Sequence, residues 1–150
     1  ALDVVRQIAA SDERTSFVGS TFFYEDVSGR GLDEDTHELV ETTADYYVLK
    51  NTPKNPSAVE FDAYTMYIHK GTFIPVKVEF EKGGNVYRVA EALKVEDIQG
   101  FKTVTQSRMT DKNAGTETTL DYVKVEYNTG LQDDLFTERF MRKPPQDVLK

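Results

Sequence analysis

Few side chains in this chain could do chemistry, and their types and spacing limit what that chemistry is. The histidines, His37 and His69, fall in different predicted elements, so neither finds the other as a proton-relay partner. His69 closes a strand beside a turn, the ordinary place for a rim residue. Asp33, Glu34, Asp35, His37 and Glu38 form a group rich in carboxylate and imidazole, which ligate hard cations and zinc. The same composition suits a solvated acidic turn or the first turn of a helix, where carboxylates oppose the macrodipole. Glu25 and Asp26 could act as an acid–base pair, but neighbours on a strand point to opposite faces and would not share one site. No Gly-x-Ser-x-Gly, phosphate loop, His-Glu-x-x-His or dinucleotide fingerprint is present. With no cysteine there is neither a thiol nucleophile nor a thiolate metal site. The residues therefore predict no catalytic set, no metal and no cofactor: a protein that is not an enzyme.

The elements that would position such residues are read from alternation. Phe61–Phe80 reads as one β-hairpin. In its second arm Ile74, Val76, Val78 and Phe80 face inward, while Pro75, Lys77 and Glu79 face solvent; in its first arm Tyr64, Met66 and Ile68 share a side. Lys70-Gly71-Thr72 supplies the loop, and Pro75, which has no N–H to donate, belongs at an edge, a bulge or a non-bonded position. Strands are expected again at 45–50, at 86–95 (with Tyr87, Val89, Leu93 and Val95 on one face), at 101–110 and at 116–127. In the last of these the apolar phase changes after Tyr122, which predicts a bulge or a strand apolar on both faces. A helix is slightly favoured over a strand for residues 1–10, and short helices are expected at Leu32–Leu39 and at 133–142, where Pro144 and Pro145 stop the segment. The latter should plug an aromatic pair into the sheet. The expected fold is mainly β: a curved antiparallel meander of six to seven strands, an unclosed half-barrel with short helices against its concave face.

The 150 residues suffice for one domain with a core. A net charge of −8 argues against nucleic acid or an anionic membrane as the main partner. No run of about 20 apolar residues could span a bilayer as a helix. What remains is apolar surface. Phe17, Phe22 and Phe23 of the dense cluster at 16–24, with Tyr64, Met66 and Phe136, are the candidate lining of an apolar cavity; a plain core closed by the terminal helix is the alternative.

SFVGSTFFYED at 16–26, the hydrophilic stretch to His37, IHKGTFIPVKVEF at 68–80 and NTGLQDDLFTERFMRK at 128–143 together resemble the LolA-like family of outer-membrane lipoprotein-sorting proteins, with Ala1-Leu2 and Arg6-Gln7-Ile8 matching its opening motif. The resemblance covers about residues 1–143. It implies a non-enzymatic periplasmic carrier that shelters lipid or lipoprotein acyl chains in a curved sheet. An envelope protein-interaction module, such as a transporter accessory that binds no lipid, is the other reading. The resemblance further implies a single domain lacking the family's N-terminal strands, and so self-association through an unpaired sheet edge.

Overall fold

The computed structural model describes residues 8–9, 12–143 and 145. The helix expected over residues 1–10 thus lies outside the described residues except at 8–9. Seven strands form one antiparallel sheet: β1 (Asp35–Thr42), β2 (Tyr46–Pro53), β3 (Ala63–His69), β4 (Pro75–Lys82), β5 (Asn85–Ile98), β6 (Phe101–Asp111) and β7 (Thr116–Asp121). They are ordered as they occur in the chain, and β1 and β7 do not pair with each other. The sheet is an unclosed meander. Two short helices, α1 (Tyr24–Ser28) and α2 (Glu138–Arg142), accompany it.

Turn chemistry makes the meander tight. Gly83 and Gly84 both take positive φ, 58° and 77°, between the paired residues Lys82 and Asn85. That is the two-residue turn whose twist matches the strands, and glycine adopts it without a Cβ clash. Pro75 opens β4 opposite Ile68, at the register shift of the β3–β4 pair, where its missing N–H is harmless. Ile74 consequently belongs to the Lys70–Ile74 loop rather than to the strand.

Registers define the two faces. One row runs His37, Asn51, Tyr64, Phe80, Arg88, Asp111, Thr116 across the sheet; the next runs Leu39, Leu49, Met66, Val78, Ala90, Met109, Thr118. These rows make the front face. Val59, Phe61 and Tyr64 form a buried cluster here, with Met66, Val78, Phe80 and Tyr87 packed against it. Rings of Phe61, Tyr64 and Phe80 meet at 5.2–5.7 Å between centroids, the range in which aromatic quadrupoles attract. On the back face Glu79 is not simply solvated: it accepts from Tyr67 Oη at 3.1 Å and pairs with Lys77 at 2.5 Å.

Several expected elements differ. Residues 35–39 are strand, not helix: the acidic run imitates a helix start, but Asp35, His37 and Leu39 pair with β2. Tyr87 and Val89 do not share a face, because a register shift between Phe80 and Glu81 turns Tyr87 toward the front core while Val89 stays opposite Glu79. Leu93 and Val95 are exposed. The phase change after Tyr122 marks the end of β7 at Asp121, and the second parity belongs to a non-strand segment whose Tyr127 packs on Phe101 at 4.7 Å. The segment 133–142 is broken at Thr137 into a 3-10 turn (Asp133–Phe136) and α2. It does not plug Phe136 into the sheet, since that ring is 73% exposed.

Candidate ligand-binding site

Residues 12–34 form a strap lying diagonally over the front face. Its first anchor is on β7, where Thr21 N–H donates to Thr118 Oγ1 at 2.9 Å. Its second is on β5. Arg88 is fully buried, paired with Asp26 of α1, bonded to the Thr21 carbonyl at 3.1 Å and stacked 3.8 Å over the Phe23 ring. Asp26 also accepts from the Phe23 N–H at 2.6 Å, so helix start and ion pair share one carboxylate. The third anchor is on β1: Arg30 grips Asp35 with two nitrogens, at 2.7 and 3.1 Å, and lies over the Phe61 ring at 5.5 Å. Tyr64 Oη donates to the same carboxylate at 2.8 Å. Burial alone would lift the Asp35 carboxyl, but Arg30 and Tyr64 outweigh it and hold it below the ordinary carboxylate range. Burial and the same carboxylate push the Tyr64 phenol well upward, so it stays a donor. Glu25, next to Asp26, is raised by desolvation and by that neighbour.

Because the strap crosses from Thr118 through Arg88 to Asp35, it leaves one corner of the front face uncovered. That corner lies between the β1–β2 and β3–β4 turns. Its surface is Leu39, Tyr47, Leu49, Met66, Ile68 and Val78, apolar or aromatic throughout; Leu39 is exposed and the others half-buried. This apolar strip across β1 to β4 is the candidate trough. Two open recesses of about 650 and 630 Å³ lie elsewhere, one lined by Thr103, Val104, Tyr122, Val125 and Tyr127, the other by Thr129, Leu131, Asp134 and Leu135.

The model of a protein family described as "Uncharacterized protein" matches residues 1–143. The chain belongs to that family. No curated protein matches it in sequence. Three solved structures share its fold. A DUF1329 family protein from Desulfovibrio piger is 27% identical with a TM-score of 0.83, the match covering 94% of this chain and 61% of that one. A domain assigned as an outer membrane lipoprotein-sorting protein, from Vibrio parahaemolyticus, is 22% identical with a TM-score of 0.84 over 95% of this chain and 63% of its own. A LolA superfamily protein from Nitrosomonas europaea is 22% identical with a TM-score of 0.70, over 93% of this chain and 65% of its own. The fold is LolA-like. The chain spans between 61% and 65% of the length of these relatives.

On the LolA-like sheet the six candidate lining residues separate into three groups. Tyr64 and Met66 stand on β3, Tyr64 in the buried cluster and Met66 on the trough floor. Phe17, Phe22 and Phe23 are half-buried in the strap: Phe17 meets Tyr24 edge-on at 5.3 Å, and Phe23 is the platform for Arg88. Phe136 lies exposed in the 3-10 turn, away from either group. Glu25 and Asp26 are in a helix rather than a strand, and only Asp26 meets a cation. Sequence reading missed the two arginine anchors, since Arg88 and Asp26 are 62 residues apart and no local pattern joins them.

Proposed function

We propose that the protein carries acyl chains of lipid or lipoprotein across the periplasm without catalysing a reaction, the chain lying in the trough beside the strap. The observation that carries this reading is the apolar corner of the front face, Leu39, Tyr47, Leu49, Met66, Ile68 and Val78, beside the line along which the strap is anchored. A folded protein rarely leaves such a patch without a use. From β1 to β4 the trough crosses three strand spacings, about 14 Å. That is close to half of a bilayer's ~30 Å hydrocarbon core, the depth one acyl chain occupies. Burying about ten methylenes at ~0.8 kcal/mol each gives ~8 kcal/mol, micromolar affinity at best once association costs are met. The names of the sorting and LolA superfamily relatives agree with this reading.

The test is a fluorescent acyl probe titrated into the protein, alongside organic extraction and mass spectrometry of protein purified from a Gram-negative envelope. Uptake by the parent and its loss in Leu49→Asp, with the circular dichroism spectrum unchanged, is the expected result. A parent that extracts clean and ignores the probe refutes the carrier reading in favour of an envelope protein-binding module.

A further inference from the structure

The cations of this sheet are largely matched by carboxylates: Arg30 by Asp35, Arg88 by Asp26, Lys77 by Glu79, Lys50 by Glu81 and Arg108 by Glu91. Lys70 breaks the pattern. It stands one residue beyond β3, at the start of the β3–β4 turn. Its ammonium lies 5.2 Å from the centroid of the Tyr47 ring and donates to the Thr43 carbonyl at 2.5 Å. Tyr47 pairs with Ile68 on the front face, which puts the charge at the mouth of the trough. Its backbone is fixed as well, because Lys70 N–H donates to the Asp45 carbonyl at 2.8 Å. Among the described residues no carboxylate pairs with this ammonium. A half-buried cation held by a carbonyl and an aromatic face keeps donor capacity for an anion, since an ammonium has three N–H groups.

We infer that Lys70 is the head-group anchor of the trough, and that the preferred occupant is a single-chain fatty carboxylate with its anion on Lys70 and its tail over Ile68, Met66 and Leu49. This rests on the carrier reading above and narrows it. The geometry supplies both halves of an amphiphile's needs: an apolar floor about one chain deep, and at its turn-side end one positive charge in a chain of net charge −8. An esterified or alcohol head offers no anion, so it forfeits the charge-assisted bond while keeping the same tail contacts.

The experiment displaces a neutral pyrene-labelled long-chain alcohol from the protein with dodecanoate and, separately, with dodecanol at low ionic strength. Dodecanoate should displace the probe at a concentration about tenfold lower, the worth of one charge-assisted hydrogen bond. In Lys70→Met, which keeps an unbranched side chain one atom shorter and without the charge, the two competitors should become equal, and Lys70→Arg should keep the preference for the acid. Equal displacement from the parent, or an acid preference that survives in Lys70→Met, overturns the anchor while leaving the trough standing. Failure of either competitor, and of the probe itself, to bind overturns the carrier reading and the anchor with it.

Discussion

Replacing Arg88 tests whether the strap is held by charge or by packing. The guanidinium is fully buried and Asp26 nearly so, so Arg88→Met leaves an ionised carboxylate under the strap with only the Phe23 N–H to bind it. Breaking a buried pair by removing one partner costs about 3–5 kcal/mol, because the desolvated charge stays behind. With a urea m-value of about 2 kcal/mol/M, the denaturation midpoint followed by far-ultraviolet circular dichroism should fall by about 2 M. Adding Asp26→Asn removes the orphaned charge but preserves an acceptor for the Phe23 N–H. The methionine can rest on the Phe23 and Phe80 rings that Arg88 now covers, a favourable sulfur–aromatic contact. The double variant should therefore regain most of the lost midpoint. A single variant within ~0.3 M of the parent would show that the pair contributes no net stability. A double variant no better than the single one would show that guanidinium packing, not charge balance, holds the strap.

Tyr64→Phe deletes a 2.8 Å bond to the charged Asp35 and should cost about 2 kcal/mol in the same denaturation assay. Since Asp35 is held below its ordinary value, its contribution is complete above the unfolded carboxylate pKa and is lost as pH falls through the folded one; the variant should show a shallower acid limb of stability against pH. His37 should titrate above the usual imidazole value: Nδ1 faces Asn51 Oδ1 at 2.7 Å and Nε2 faces the Leu32 carbonyl at 2.9 Å, so both nitrogens must donate. Its stabilisation is present at low pH and disappears as pH rises through that raised value, which proton NMR of the ring will report; a titration at or below the ordinary value contradicts the geometry.

Most of the sheet was legible because half-buried strands write period two into the sequence, as Tyr64, Met66, Ile68 and Val78, Phe80 do. Glycine pairs such as Gly83-Gly84 punctuate it. β1 was misread at its start because an edge strand keeps its charges: of its eight residues only Asp35 is buried, and that one is acidic. The break at Thr137 was invisible because Leu135, Phe136 and Phe140 fit a helical spacing whether or not one helix joins them. That Tyr64 and Met66 share a face follows from alternation, but that Tyr64 is buried and Met66 lies in the corner beside the strap depends on where the strap lies. Arg88, Asp26, Arg30 and Asp35 fix that path through contacts no periodicity encodes. The aromatic cluster at 17–24 reads in sequence as cavity lining or core; its rings are half-buried in the strap, and the use of Phe23 as a platform for Arg88 depends on the sheet beneath it.

The order of the strands bears on the order of events during synthesis. Every strand pairs with the one made just before it, so the sheet can grow hairpin by hairpin as the chain emerges, each step closing only a short loop. The strap is made before any strand, yet Thr21 must wait 97 residues for Thr118 and Asp26 must wait 62 for Arg88. Until then its phenylalanines have no surface to cover, and the nascent front face is bare. The strap's anchors can therefore close only after the strands they meet have been made, so its settling comes late although its residues come first.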